Sequence, residues 1–167
     1  MTSQRLDTLR HAGQGFDLIS GGAFSPADWG LYPDGDSSDC WRGYVCHYVI
    51  EGDTLFLNEL ELCGPASGVI GLDEQGDIIS TPARWPRINE VAPERVRGGL
   101  MPWRYPALAL PLGFTGTLLL GQTLRDDSLY LTGAADFPQA EDYRTVLRLQ
   151  LEQGRLCCDA QDGPGSL

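Results

Sequence analysis

The chain reads as mainly β: a single-domain antiparallel sandwich or small barrel carrying one short N-terminal helix, with a mixed α+β fold as the alternative. Three observations predict this. Apolar residues recur with a period of two over most of the length, the signature of half-buried strands. The alternating runs come in pairs around short Gly-containing turns, which is how hairpins are written. Gly and Pro, at 21 and 11 of 167 residues, make up about a fifth of the chain and favour turns over long helices. A chain of this length buries roughly 70% of its unfolded surface and can stand on one core. The expectation is therefore one β-rich domain over residues 1–160 and a disordered tail over residues 161–167.

The first element is expected to be a helix over residues 3–12. Thr2 or Ser3 can cap it, Leu6 and Leu9 share a face, and Gly13 can end it. The clearest hairpin lies in Trp41–Leu62. Tyr44, Cys46, Tyr48 and Ile50 alternate with Val45, His47 and Val49, and Glu51-Gly52-Asp53 supplies the turn. The first strand is apolar on both faces and should be central. In the second, Phe56, Asn58, Leu60 and Leu62 alternate with Leu55, Leu57, Glu59 and Glu61, so the Glu59–Glu61 end should reach water.

Further hairpins are expected at Val69–Ser80, around Asp73–Gly76; at Gly116–Leu124 with Leu129–Ala135; and at Thr145–Gln153 with Arg155–Asp159, around Gly154. In the last, Leu147, Leu149 and Leu151 face one way and Val146, Arg148, Gln150 and Glu152 the other. Two long irregular stretches remain. Residues 25–40 form an acidic, aromatic loop, and residues 82–106 hold five Pro and five Arg. Loops of this length inside a domain serve a function or pack over a core.

Charge is distributed unevenly. Residues 1–80 hold thirteen acids against three Arg, and so carry ten of the eleven net negative charges. Such a half repels nucleic acid and anionic lipid and attracts basic partners. All twelve bases are Arg. Arg84, Arg87, Arg95, Arg97 and Arg104, beside Trp85 and Trp103, could line a nucleic-acid groove. Against a net charge of −11, pairing of these Arg with the acidic half is the preferred expectation. The N-terminus lacks the apolar core of a signal peptide. The most apolar stretch, residues 107–121, is about 15 residues long and interrupted by Pro and Gly, too short for a span of about 20. The expected compartment is the cytoplasm, with no membrane partner. There the five cysteines read as thiols. Their odd count and irregular spacing fit neither a disulfide framework nor a zinc site, so no metal is expected.

The run Trp41-Arg42-Gly43-Tyr44-Val45, followed by Ile50 and Leu55-Phe56-Leu57, resembles a group of small uncharacterised bacterial proteins. They share an aromatic-Arg-Gly-Tyr-Val hairpin opening and a Phe-Thr-Gly strand start, matched here by Phe114-Thr115-Gly116. The resemblance spans about half the chain and implies a β core and a bacterial source. It brings no catalytic residues with it.

No catalytic set is expected. Cys46 and His47 are neighbours in a strand and point to opposite faces. Gly64-Pro65-Ala66-Ser67-Gly68 lacks the spacing of a nucleophile elbow. Glu59 and Glu61 share a strand face about 6.5–7 Å apart and could form an acid–base pair, but a solvated strand end explains them as well. Asp34–Asp39 opens like a calcium loop, yet Asp39 stands where Gly is required and Val45 where the bidentate Glu should be. No phosphate-binding loop and no cofactor motif occurs.

The best candidate site is the acidic aromatic loop with the acidic strand end: Asp28, Trp29, Tyr32, Asp34, Asp36 and Asp39, with Glu59 and Glu61. Aromatic anchors inside a charged rim are what a protein interface uses. The functional expectation is a non-enzymatic acidic binding protein, an immunity or inhibitor protein that covers a basic toxin-like partner. The alternative is a small-molecule-binding β-barrel with a pocket lined by Tyr44, Tyr48 and Phe56.

Overall fold

The computed structural model describes residues 4–33, 39–63, 67–76, 78–82, 85–98, 101–126 and 137–162. Its strands are β1 (Thr8–His11), β2 (Gln14–Ser20), β3 (Tyr44–Glu51), β4 (Thr54–Leu62), β5 (Ser67–Leu72), β6 (Ile78–Pro82), β7 (Glu94–Arg95), β8 (Trp103–Tyr105), β9 (Leu110–Pro111), β10 (Gly116–Leu124), β11 (Tyr143–Glu152) and β12 (Arg155–Asp162). The chain is mainly β, and among the described residues it has 3-10 turns at Pro26–Trp29 and Ala140–Asp142.

Ten strands form one mixed sheet in the order β12-β11-β10-β2-β1-β3-β4-β8-β7, with β9 on β4; β5 and β6 form a separate ribbon. β12 also pairs with β4, through Arg155 and Thr54, so seven strands close into a ring. The bonds Leu55 N–H to Gly154 O (2.8 Å) and Leu156 N–H to Asp53 O (2.7 Å) hold the seam. Gly154 makes this approach feasible: a Cβ there would stand 1.8 Å from the Leu112 carbonyl oxygen. The ring interior is filled by alternate residues of its strands, among them Leu9, Leu18, Cys46, Tyr48, Leu118, Leu120 and Leu149.

The expected N-terminal helix is replaced by an extended lead-in and β1. A ten-residue helix is marginal by itself. Here both edges of the segment find backbone partners, β2 antiparallel and β3 parallel. Gly13, read as a helix end, instead makes a two-residue hairpin turn with Ala12, both at positive φ (75° and 50°).

The central hairpin is β3–β4, and β3 does lie inside the sheet, between β1 and β4. Its two faces are both covered. Cys46, Tyr48 and Ile50 enter the main core, while Val45 packs with Cys40, Cys63 and Met101 in a second cluster. Strict alternation along β4 does not hold. The β3–β4 register shifts at His47/Tyr48, leaving Asn58 as an extra residue between Leu57 and Glu59. The phase switches there, so Leu55, Leu57, Leu60 and Leu62 are all buried.

The ribbon β5–β6 and the hairpin β11–β12 pair as expected, and β11 alternates with Leu149 and Leu151 buried and Arg148, Gln150 and Glu152 exposed. The partner expected for β10 at residues 129–135 lies outside the described residues; along the described part, β10 is flanked by β11 and β2. β12 continues to Asp162, into the expected tail. The stretch 82–106 is less irregular than expected. Its β8 extends the sheet beyond β4, and Tyr105 is fully buried, its hydroxyl donating to Pro86 O at 2.5 Å.

Candidate functional site

The extended segment that leads into β1 organises the polar side of the molecule. Gln4 Oε1 accepts from Trp41 N–H at 2.7 Å. Arg5 N–H donates to Asp39 O at 2.7 Å, and its guanidinium donates to Glu61 Oε2 at 2.9 Å. Asp7, 4% exposed, receives both terminal nitrogens of Arg42 and also Cys46 N–H at 2.7 Å. Arg42 in turn lies over the Tyr44 ring, 4.7 Å from its centroid. Thr8 continues the pattern toward His47. Four of five consecutive residues thus fasten the end of the acidic loop to β3 and β4.

Thr8 and His47 are direct partners in the parallel β1–β3 ladder, and Glu59 faces His47 across β3–β4. On the sheet face turned away from the main core these positions form a polar row. Thr8 Oγ1 stands 2.7 Å from His47 Nδ1, and His47 Nε2 stands 2.7 Å from Glu61 Oε2. The His47 hydrogen bond and the Arg5 charge hold the Glu61 carboxyl below its usual range, against the opposing effect of burial. The row borders a cleft of about 290 Å3 lined by Thr8, Arg10, Gly15, His47, Asn58 and Glu59, among others.

The expected site residues divide into groups. Asp28 and Trp29 close the 3-10 turn after Pro26 and are exposed, as is Tyr32. Trp29 stacks on Phe24 with ring centroids 6.4 Å apart. Asp34 and Asp36 lie outside the described residues. Asp39 and Glu61 come together on Arg5, so the loop end and the strand end adjoin. Glu59 and Glu61 do not reach freely into water: both are half-buried, and Glu61 is taken up by two partners. The covering groups, Arg5 and His47, come from residues 56 and 14 positions away.

Where ion pairs of these acids are seen among the described residues, the cations come from outside the Arg-rich stretch. Asp7, Asp53 and Glu61 pair with Arg42, Arg155 and Arg5, whereas Arg104 pairs with Glu94 in its own stretch at 3.4 Å. Tyr44 and Tyr48 pack on the main core, and Phe56 is half-buried on the opposite side of β4 from its core leucines, so the three do not line one pocket. Among the described residues no helix is long and apolar enough to cross a membrane.

Sequence reasoning missed Gln4, Arg5, Asp7, Thr8 and His47. The partners of these side chains and of the Arg5 amide stand 34 or more positions away, except for Glu61 facing His47, and no local periodicity encodes such contacts. The one available signal was an acid, Asp7, set beside apolar Leu6 and Leu9. No protein-family model matches the chain, and neither a curated protein nor a solved structure does so.

Proposed function

We propose that this is an acidic partner-binding protein of the immunity or inhibitor kind, which neutralises a basic toxin by protein–protein contact. The observation that carries this reading is the exposure of Trp29, Tyr32 and Trp41, at 41%, 73% and 51%, around an acidic loop. Large aromatics left in water beside carboxylates match the anchors and rim of a binding surface. The proposed contact set is Asp28, Trp29, Tyr32, Asp34, Asp36 and Asp39, with Glu59 and Glu61 at the adjoining strand end. Arg5 links the two parts, which lets them act as one surface. The negative charge concentrated in residues 1–80 would steer a basic partner and make its association rate fall with salt.

The test is co-expression with the product of the adjacent gene, followed by measurement of binding. The expected result is a complex whose association slows with salt. Trp29→Ala and Tyr32→Ala should each weaken it by about tenfold or more, as loss of a hot spot of about 2 kcal/mol implies. A neighbouring product that is neither basic nor bound removes the reading.

A further inference from the structure

The row beside the 290 Å3 cleft fixes a proton arrangement. Glu61, ionised and anchored by Arg5, can only accept, so His47 Nε2 carries the hydrogen that lies between them. In the neutral imidazole Nδ1 is then the acceptor, and the Thr8 hydroxyl must donate to it. Thr8 is left with its oxygen lone pairs available to the cleft that it lines. A hydroxyl bonded to an imidazole, which is oriented by a carboxylate, is the general pattern of an activated nucleophile.

The surroundings add a fourth group. Arg10 lies two residues from Thr8 on the same face of β1, about 6.5–7 Å along the strand, and lines the same cleft. Its partner across β1–β2 is Gly15, which has no side chain to occupy the guanidinium. No hydrogen bond or ion pair engages the Arg10 side chain among the described residues. β1 is held on both edges, so these positions are built on rigid backbone rather than on a loop.

We propose that Thr8, His47, Glu61 and Arg10 form an acyl-transfer site for small esters, which goes beyond the partner-binding reading and shares Glu61 with its contact set. Thr8 Oγ attacks the ester carbonyl carbon. A C–O bond forms while the hydroxyl proton passes to His47 Nδ1, and Glu61 stabilises the resulting imidazolium. Arg10 neutralises the negative charge that gathers on the carbonyl oxygen. Collapse breaks the bond to the leaving alcohol, which takes the proton back from Nδ1. Water then attacks the acyl-Thr8 carbonyl carbon and loses its proton to His47 Nδ1; collapse breaks the acyl C–Oγ bond, Thr8 Oγ takes that proton back, and the carboxylic acid leaves. The volume of the cleft, at the lower end of the about 300–1,000 Å3 usual for ligand pockets, restricts the substrate to small acyl groups.

The probe is p-nitrophenyl acetate, applied to the full chain with the exposed Cys157 and Cys158 replaced by Ser to remove background thiol acylation. The chain contains no Lys, so amine acylation is confined to the N-terminus. The expected result is a nitrophenolate burst with one acetyl group mapped to Thr8. Thr8→Val and His47→Gln should lower the rate by about 10²–10⁴-fold, Arg10→Ala by about 10²-fold. Thr8→Ser should retain it, with thermal unfolding close to that of the parent. A structural cross-strand network would lose stability on substitution but would never yield the Thr8 adduct. Acetyl groups mapped elsewhere, or a Thr8→Val rate equal to the parent's, would overturn the proposal; if Thr8→Val fails to fold, the adduct map on the parent decides.

Discussion

Asp7 illustrates how a single residue carries long-range structure. Its carboxylate is buried, and it satisfies the Arg42 fork and the Cys46 amide together. Breaking one partner of a buried pair leaves the other charge uncompensated. Asp7→Asn should therefore cost about 2–4 kcal/mol, at the lower side of the usual range because Arg42 is one-third exposed. Differential scanning calorimetry should show the midpoint falling by roughly 5–15 °C at this chain length. Glu61 predicts a different signature. Its carboxyl is held below its ordinary value of 4.5 by His47 first and Arg5 second. Its stabilisation is therefore complete above that ordinary value and is lost as pH falls through the lowered one. Glu61→Gln should cost about 1 kcal/mol at neutral pH. Urea titrations of the two proteins should converge as the pH drops through this window; a difference that persists in stronger acid would contradict the assignment. Both residues were legible as acids in the sequence, but neither partner set was, because the partners are distant along the chain.

Among the elements, β4 shows how one extra residue redistributes function. Had β4 alternated without a break, Glu59 and Glu61 would share a side with Leu55 and Leu57, which are buried. The bulge at Asn58 reverses the phase and places both acids beside His47. The Asn58 carbonyl is not lost to the ladder: it accepts from Leu108 N–H at 2.7 Å. The paired strands β10 and β11 depend on a missing side chain. A Cβ on Gly121 would lie 2.5 Å from the Tyr143 ring, whose hydroxyl donates to Asp17 at 2.9 Å. Gly121→Ala should force that ring aside and cost about 1–3 kcal/mol. A crystal structure or the near-ultraviolet dichroism of Tyr143 should register the displacement, and an unshifted thermal midpoint would show that the ring relocates freely. At the β1 hairpin, Leu6, Leu9 and Gly13 suit a helix as well as a strand. Pairing with β3, 39 residues further on, decides between them, and propensity does not.

For the whole molecule, closure of seven strands leaves the ribbon β5–β6 outside the ring. A two-stranded ribbon is marginal without a covering layer. Hydrogen exchange should be faster in Ser67–Leu72 and Ile78–Pro82 than in β3 or β10; equal protection would mean that the ribbon unfolds only with the ring. Thiol accessibility follows from the same layering. Cys157 and Cys158 are exposed, whereas Cys40, Cys46 and Cys63 are buried, and burial pushes the Cys40 and Cys46 thiols up. An Ellman titration should find two reactive thiols in the native protein and five after unfolding. The sequence by itself determined the mainly β class, the hairpins β3–β4, β5–β6 and β11–β12, and the acidity of the first half. These follow from alternation, turn residues and charge, which are local properties. Only the tertiary structure decided the parallel β1–β3 pairing, the ring seam, the phase of β4 and the Thr8–His47–Glu61–Arg5 row. Each of these depends on which distant backbone edges meet, and a period of two along a strand carries no record of its neighbour.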